Sequence, residues 1–251
     1  MQFASYPSLR DKVVLVTGGA SGIGADIVRA FDGQGARVGF VDILDGDAAA
    51  LNDACGGRLV YRRCDITDIP ALQAAIAEIA AEIGAITVLV NNAANDKREA
   101  VDEVSVEDWD TAQAINLRPQ FFAAQAVRAG MKAAGGGAII NFSSVAWEFG
   151  APNMTPYVTA KAATIGLTRS LATAFGDDNI RVNAIEPGAV ITPRQRKLWF
   201  RTEASIAEVV SKQALKQVLL GDEIARTVLF LASADARMIT KQTIVVDAGI
   251  R

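Results

Sequence analysis

The stretch KVVLVTGGASGIG (residues 12–24) joins an apolar segment to a cluster of glycines. Its valines and leucine predict a buried strand over residues 12–17. The apolar spacing of GIGADIVRAFDGQG (residues 22–35) predicts a helix that begins at Gly22 and ends in glycine. A strand that passes through glycines directly into a helix is the first half of a strand–helix–strand unit.

The same alternation of strands and helices continues along the chain. Further strands are predicted over residues 36–42, 58–64, 86–92, 137–144, 180–188 and 242–249. Helices are predicted over residues 46–55, 69–84, 106–135 with an interruption near Pro119, and 155–176, with further helical segments before the last strand. This order predicts an α/β fold, a doubly wound parallel sheet of about seven strands covered by helices on both faces. There is no linker or repeat, so we expect one domain over residues 1–251, with ligands beyond the carboxyl ends of the strands.

The composition excludes several classes of function. The chain has 251 residues, 51% of them apolar, a net charge of −3 and no block of like charge, which argues against nucleic acid or a membrane as a partner. The opening segment MQFASYPSLRDK has no signal-peptide pattern, so we expect a cytoplasmic protein. With no histidine, and with Cys55 and Cys64 outside any ligand motif, the sequence excludes a Ser-His-Asp triad and predicts no metal site.

The glycine-rich turn predicts a phosphate site. Gly18 permits a tight turn, while Gly22 and Gly24 let the backbone approach a pyrophosphate at the start of the helix. The alternative is an ordinary glycine-rich turn without a ligand. The position of the glycines, directly after a strand and before a helix, favours a dinucleotide.

Asp42 ends the second predicted strand, about 20 residues beyond the glycines, where an acidic residue typically binds the adenosine ribose of NAD. Its charge would repel the 2′-phosphate of NADP, so the sequence predicts NAD. The alternative is that Asp42 ends a strand at the surface. Asp65 in CDI is predicted to lie beside the adenine, and NNAA (residues 91–94) along the dinucleotide.

Tyr157 and Lys161 lie four residues apart in YVTAK and share one face of a predicted helix. An ammonium group lowers the pKa of a neighbouring phenol, so Tyr157 can act as the base in a chain that has no histidine. Ser144 ends the fifth predicted strand, where its hydroxyl can hold a substrate oxygen. The alternative is a core tyrosine and a solvated lysine.

The motifs TGGASGIG, NNAA, INL, SS, YVTAK and EPG occur in this order and resemble the short-chain dehydrogenase/reductase family over essentially the full chain. The resemblance implies a Rossmann-type NAD-binding domain with Asn116, Ser144, Tyr157 and Lys161 as the catalytic set. Tyr157 would exchange the proton, Lys161 would bind the nicotinamide ribose, and Asn116 would anchor a water. The implied cofactor contacts are Gly18, Ser21, Gly22, Ile23, Gly24, Asp42, Ile43, Asp65, Ile66, Asn92, Ala93, Tyr157, Lys161, Pro187, Gly188, Val190 and Thr192. Ala94 and Ala248 depart from the family, where glycine is usual.

Within that family, YPSL, NNAANDKR, SSVAWEFG, TPRQRKLWF and VVDAGIR resemble bacterial aldose 1-dehydrogenases, which act on free sugars. This resemblance implies oxidation of an anomeric hydroxyl to a lactone. The expected substrate contacts are Asn95, Ser144, Trp147, Asn153 and Tyr157, with Trp147 replacing a small residue of the family and reshaping the pocket. Polar loop residues such as Asp96, Arg194 and Gln195 agree with a polyhydroxylated substrate.

Two other functions remain open at this point. The first is another reductase of the same fold, such as a 3-oxoacyl reductase, which Asp42 disfavours because such reductions usually draw on NADPH. The second is a non-catalytic, dinucleotide-sensing protein, which the loss of Tyr157 or Lys161 would have marked. The alanine-rich segments AAQAVRAG and AKAATIG predict close packing between subunits, and with the family resemblance they suggest a homotetramer.

Overall fold

The computed structural model describes residues 3–251 and has the predicted alternation of strands and helices. Within this range the seven strands are β1 (Val13–Thr17), β2 (Arg37–Asp42), β3 (Val60–Arg63), β4 (Val88–Asn91), β5 (Gly137–Phe142), β6 (Ile180–Pro187) and β7 (Thr243–Val246). The helices are α1 (Gly22–Gly33), α2 (Asp45–Ala54), α3 (Ile69–Ile83), α4 (Val106–Asn116), α5 (Arg118–Ala133), α6 (Thr155–Phe175), α7 (Pro193–Leu198), α8 (Glu203–Lys212) and α9 (Gly221–Ala232). Short 3₁₀ turns cover Pro7–Leu9, Val101–Glu103, Val145–Trp147, Gly176–Asp178 and Ala234–Ala236.

The strands form one parallel sheet in the order β3-β2-β1-β4-β5-β6-β7, which confirms the doubly wound fold. Val14 on β1 pairs with Val38 on β2 and with Val88 on β4. The chain therefore runs outward from β1 in one direction, then returns to build β4 on the other side. The crevice at this switch point, at the carboxyl ends of β1 and β4, is where such folds bind ligands.

The sheet has a hydrophobic core on each face. Val14 and Val16 pack into the core beneath α1 and α9, whereas Val13 and Leu15 pack into the core beneath α3, α5 and α6. All four side chains are buried. Because successive residues of a strand face opposite sides, a strand that is covered on both sides must be apolar throughout. This is why KVVLVT is a continuous apolar segment rather than an alternating one.

The helix predicted over residues 106–135 is two helices, α4 and α5, separated at Leu117. Leu117 has φ −128° and ψ −57°, and Pro119 lies in the first turn of α5, where its missing N–H disrupts no helical hydrogen bond. The predicted interruption is therefore confirmed, and it leaves Asn116 as the last residue of α4. Several strands are shorter than predicted. The last one ends at Val246, because Ala248 and Gly249 turn the chain with φ 57° and 75°.

No helix among residues 3–251 is long and apolar enough to cross a membrane.

Gly39 sets the distance between β2 and α3. A Cβ atom at this position would lie 2.4 Å from Cγ2 of Ile79. Gly39→Ala is therefore expected to lower the free energy of unfolding by about 1–3 kcal/mol, the usual effect of overpacking a core. Urea denaturation measures this change.

The matched control is Gly46→Ala in α2, where nothing lies within 4 Å of the added methyl group. It should leave the free energy of unfolding unchanged or slightly higher, since alanine favours a helix. An equal loss of stability in both variants would contradict the packing explanation.

Candidate active site

A cavity of about 990 Å³ opens at the carboxyl ends of the strands, on the switch point between β1 and β4. Its volume lies in the range of small-molecule and cofactor sites. All the residues predicted to contact the dinucleotide line it: Gly18, Ser21, Gly22, Ile23, Gly24, Asp42, Ile43, Asp65, Ile66, Asn92, Ala93, Tyr157, Lys161, Pro187, Gly188, Val190 and Thr192.

The turn between β1 and α1 is rich in glycine, so side chains do not cover its backbone. Gly18 and Gly22 have φ 67° and 54°, which favours glycine. A Cβ atom on Gly24 would lie 1.9 Å from the Gly18 carbonyl oxygen, and one on Gly18 would lie 2.8 Å from Cα of Ala93. α1 begins here, and its N-cap residue, Ser21, makes no side-chain capping hydrogen bond. These features fit a pyrophosphate held by backbone N–H groups.

Asp42 is buried at the end of β2. Its Oδ2 accepts a hydrogen bond from the Ala20 N–H at 2.9 Å, and its Oδ1 accepts from the N–H groups of Ile43 and Leu44 at 2.7 and 3.2 Å. These bonds fix the carboxylate in the wall of the cavity. Asp42 is therefore not a strand end on the exposed surface, which was the alternative interpretation. A buried carboxylate at this position suits ribose hydroxyls and repels a phosphate.

The sequence did not reveal a cation close to this carboxylate. Arg63 pairs with Asp42 across β2 and β3. Its Nη1 donates to the Ile43 carbonyl at 2.8 Å and to Oδ2 of Asp45 at 2.6 Å, and Arg63 does not line the cavity. The signal that would have found it is the pairing of the two strands, which places their ends side by side.

Tyr157 and Lys161 lie on one face of α6, as their spacing predicted, and both line the cavity together with Ser144. The Lys161 Nζ atom is 5.5 Å from the centre of the Tyr157 ring. It donates a hydrogen bond to the Phe142 carbonyl at 2.8 Å, and Lys161 is 1% exposed. Ser144 follows β5, with its hydroxyl oxygen accepting from the Ala146 N–H at 3.2 Å.

The expected effect of Lys161 on the Tyr157 phenol needs correction. Burial raises the pKa of Tyr157 to about 12, against the opposing effects of the Ser144 hydrogen bond and the Arg194 charge. Burial also lowers the pKa of Lys161 to about 7. The lysine is bonded to an uncharged carbonyl, so nothing in direct contact compensates its charge. Desolvation is therefore the largest cause of both shifts, and Ser144 and Arg194, not Lys161, are the groups that lower the pKa of Tyr157.

Asn116 does not line the cavity, because it is fully buried behind it. Its Oδ1 accepts from the Asn95 N–H at 2.9 Å, and its Nδ2 donates to the carbonyls of Asn95 and Ala112 at 3.0 Å each. The Asn116 carbonyl accepts from the Gln120 side chain at 3.1 Å. Oε1 of Gln120 is a buried acceptor without a donor among residues 3–251. Asn116 thus holds the loop that follows β4.

Two predicted substrate contacts, Trp147 and Asn153, do not line the cavity. The 3₁₀ turn after Ser144 carries Trp147 to β6, where its Nε1 donates to Oε1 of the buried Glu186 at 2.6 Å. Asn153 has φ 58°, and its carbonyl accepts from the Glu99 N–H at 2.8 Å, so it shapes a turn. That Trp147 and Asn153 contact the substrate stays a prediction; in this structure they contact β6 and the loop after β4. The side chains that line this part of the cavity are Ala146, Phe149, Ala151 and Met154.

Asp96 fastens α7 to the loop after β4. Its carboxylate accepts hydrogen bonds from Arg194, from Nε2 of Gln195 at 2.9 Å and from Nε1 of Trp199 at 3.1 Å. We call these four residues the Asp96 latch. Burial would raise the pKa of Asp96, but the hydrogen bonds from Gln195 and Arg194 outweigh it and hold that pKa below its usual value. Arg194 also donates to Oδ1 of Asn95, at 3.1 Å.

The latch acts electrostatically on the two groups that can exchange protons. The negative charge of Asp96 raises the pKa values of both Tyr157 and Lys161, whereas the positive charge of Arg194 lowers that of Tyr157. Asn95, Asp96, Arg194 and Gln195 also line the cavity. The same residues therefore form the polar part of its wall and influence the chemistry beside it.

In the part of the chain that the structure describes, no group of three or more acidic or cysteine side chains is placed to hold a metal ion. Metal-free chemistry stays a prediction.

Comparison with known proteins places these features in context. Residues 18–251 match the family described as enoyl-(acyl carrier protein) reductase. The chain is 47% identical over 251 residues to a protein named "Probable galactose dehydrogenase" from Rhizobium meliloti (strain 1021), covering 98% of both chains. It is 45% identical over 254 residues to the D-xylose 1-dehydrogenase of Caulobacter vibrioides (strain NA1000 / CB15N), covering 100% of both. Its fold matches the aldohexose dehydrogenase of Thermoplasma acidophilum in ligand-free form with a TM-score of 0.89 and 32% identity, covering 98% of this chain and 96% of that one.

Asp96→Asn is expected to loosen α7, because an amide offers no charged acceptor to Arg194, Gln195 and Trp199. Trypsin cleavage within α7 should become roughly tenfold faster, since a hydrogen bond to a charged group contributes about 1.5–3 kcal/mol. The emission of Trp199 should shift to longer wavelength as its indole N–H becomes hydrated.

Glu208→Gln is the control, since it removes one carboxylate from an exposed ion pair with Lys212 in the neighbouring α8. It should change neither measurement. If cleavage in the Asp96→Asn variant proceeds at the rate of the parent protein, the latch does not hold α7.

Proposed function

Since this chain belongs to the short-chain dehydrogenase/reductase family, we propose that it oxidises the anomeric hydroxyl of a free aldose to the lactone, with NAD as the acceptor. The chain is an oxidoreductase that acts on CH–OH groups, and its family uses a nicotinamide dinucleotide. The observation that carries the proposal is the placement of Tyr157, Lys161 and Ser144 in a cavity that also contains the polar residues of the Asp96 latch.

The residues present fit the dinucleotide. The glycine turn would hold the pyrophosphate, Asp42 the adenosine ribose, and Lys161 the nicotinamide ribose. The segment from Pro187 to Thr192 would hold the carboxamide, since Gly188 leaves no room for a Cβ atom, which would lie 2.7 Å from Cα of Asp247. When bound, the cofactor supplies the acceptor for the hydride that leaves C1 of the sugar.

The chain itself handles the proton. Tyr157, as the phenolate, removes the proton of the C1 hydroxyl while the C1–H bond breaks, so that C1 becomes the lactone carbonyl. Ser144 holds the reacting oxygen. Lys161 would hold the nicotinamide ribose, and Asn116, whose carbonyl is bonded to Gln120, would anchor the water through which the proton returns to solvent. The buried Oε1 of Gln120 has no hydrogen-bond donor among residues 3–251 and would accept a hydrogen bond from that water.

The substrate end of the cavity favours a sugar. Arg194 is held by Asp96 and Asn95, which presents its remaining N–H groups in a fixed arrangement. A polyhydroxylated ring needs several such fixed partners, whereas a fatty substrate needs an apolar wall. The proposed contacts are Asn95, Ser144 and Tyr157, together with Arg194 and Gln195. The relatives are named for galactose, D-xylose and aldohexoses, which supports the same class.

We also propose the homotetramer that the alanine-rich segments predict. Its support is the exposure of three large apolar side chains on α4 and α5: Val106, Trp109 and Phe121 are 72%, 39% and 40% exposed. Exposed large apolar side chains are covered in many subunit interfaces.

The deciding experiment incubates pentoses, hexoses and 6-deoxyhexoses with NAD and with NADP, and identifies the product by NMR before it hydrolyses. The expected product is the aldono-lactone of at least one aldose. If no aldose is oxidised while another secondary alcohol, such as a 3-hydroxyacyl thioester, is, the aldose proposal fails and only the general oxidoreductase activity remains.

The second prediction for this site concerns the cofactor. kcat/KM is expected to be higher with NAD than with NADP, because the fixed carboxylate of Asp42 repels a 2′-phosphate. Asp42→Ala should bring the kcat/KM values for NAD and NADP closer together. Arg63→Met is the control, because the Arg63 guanidinium already forms an ion pair with Asp45. This variant should leave the preference for NAD over NADP unchanged. A parent protein that prefers NADP would refute the prediction.

The third prediction concerns pH. Because burial raises the pKa of Tyr157 to about 12, the rate of oxidation should rise with pH through the alkaline range as the phenolate forms. Asp96→Asn removes a charge that raises this pKa and should move the profile to lower pH. Arg194→Met removes a charge that lowers it and should move the profile to higher pH. The midpoint of the kcat profile measures both shifts.

Tyr157→Phe tests the same assignment without titration. It should reduce kcat by roughly 10²–10⁴ at every pH, the usual contribution of a general base, while dinucleotide binding persists. Opposite shifts from those expected, or a Tyr157→Phe variant with normal kcat, would exclude Tyr157 as the base.

A further inference from the structure

A second pocket, of about 350 Å³, lies at the amino ends of the strands, at the other end of the sheet from the candidate active site. Lys12 precedes β1, Thr87 precedes β4, the 135–138 segment opens β5 and Arg181 is the second residue of β6. The turn after α9 closes the pocket with Ser233 and Arg237. None of these residues belongs to the proposed dehydrogenase site.

All the charged side chains that line this pocket are positive. Lys12, Arg181 and Arg237 line it, and no aspartate or glutamate does. None of the three forms a salt bridge with any residue in the range 3–251. The whole chain is acidic, with a net charge of −3, so this concentration of positive charge does not follow from the composition. Three like charges around one pocket attract an anion.

Arg181 is the fixed element of the pocket. It is half-buried, and its Nη1 and Nη2 atoms donate to the carbonyls of Ile239 and Ser233 at 3.2 and 3.4 Å. These acceptors orient the guanidinium but carry no charge to neutralise it. Burial lowers the pKa of Arg181, and no carboxylate among residues 3–251 pairs with it. An anion would supply that compensation.

Other residues that line the pocket contact one another. The Ser8 hydroxyl oxygen accepts from the Ala234 N–H at 3.0 Å, and Nδ2 of Asn179 donates to the Gly135 carbonyl at 2.9 Å. Gly136 has φ 140°, and a Cβ atom there would lie 2.5 Å from the Asn179 carbonyl oxygen. These parts of the wall are held by internal hydrogen bonds and close contacts, and the three cations are its charged groups.

We propose that this pocket binds a small organic anion through its phosphate or carboxylate group, with Arg181 as the oriented donor and with Lys12 and Arg237 beside it. The planar guanidinium matches both groups, because it offers parallel N–H donors to two oxygens. The volume suits a molecule of the size of a phosphorylated monosaccharide or a tricarboxylate. The site is separate from the proposed sugar oxidation and does not depend on it.

Isothermal titration with inorganic phosphate tests the site. The protein is first saturated with the dinucleotide that it binds, so that the glycine turn is filled, and chloride keeps the ionic strength constant. We expect saturable binding of one phosphate per chain. Arg181→Met should raise the Kd at least about tenfold, since the lost hydrogen bonds are between charged groups. Arg169→Met is the matched control, because Arg169 is an exposed arginine outside the pocket.

The double variant Lys12→Met/Arg237→Met provides an independent test, since both side chains are exposed and their loss removes charge without removing the contacts of Arg181. It should also weaken binding about tenfold. Titration with a hexose 6-phosphate and with citrate then distinguishes a phosphate from a carboxylate ligand by the tighter Kd. The proposal is overturned if phosphate and citrate both fail to bind saturably. It is equally overturned if the pocket variants bind as the parent does, or if Arg169→Met weakens binding as much as they do.

Discussion

The hydrogen bonds between the ends of β1 and β4 hold the whole cofactor cavity in its shape. Nδ2 of Asn92 donates to the carbonyls of Thr17 and Gly18 at 3.1 and 3.0 Å, and the Thr17 hydroxyl accepts from the N–H groups of Asn92 and Ala93 at 3.1 and 3.2 Å. β1 and β4 are the strands at which the chain reverses its direction across the sheet. The bonds therefore fix the glycine turn to the loop after β4, and Gly18 must remain glycine because Ala93 lies against it.

A buried polar layer transmits this order to α6. Asn91 on β4 donates to Oδ1 of Asn141 on β5 at 2.9 Å, and Asn141 donates to the Thr168 hydroxyl on α6 at 3.0 Å. All three side chains are at most 2% exposed. Buried polar groups are costly unless each finds a partner, so the chain of bonds selects one position of α6 against the sheet. In that position Tyr157 and Lys161 face the cavity, and Lys161 reaches the Phe142 carbonyl at the end of β5.

The sequence predicted what depends on local pattern. Continuous apolar strands, glycines after β1 and the four-residue spacing of Tyr157 and Lys161 are each read within a few residues. The fold and the glycine turn follow from them, whereas the predicted cofactor contacts that line the cavity were implied by the family resemblance. The Asp96 latch joins residues about a hundred positions apart, and no short motif encodes that contact. The hydrogen bond from Trp147 to Glu186 was missed for a related reason. A buried Glu186 in an apolar strand was the available signal that some polar side chain must reach it, but the sequence does not say which one does.

The chain has no histidine, so a group that titrates near neutral pH must be another side chain with a shifted pKa. Burial shifts the pKa of Lys161 into this range. Lys161, with a pKa lowered to about 7, titrates in the range that imidazole usually covers, while Tyr157 is moved away from that range to about 12. The two groups lie on one face of α6, and burial is the largest cause of both shifts. Asp96 raises both pKa values, which keeps Lys161 charged to higher pH but makes the phenolate harder to form. Arg194, bonded to Asp96, acts on Tyr157 in the opposite direction. Asp96 and Arg194, which line the cavity, therefore also influence the proton affinity of the Tyr157 phenol, and this links the phenol to the position of α7.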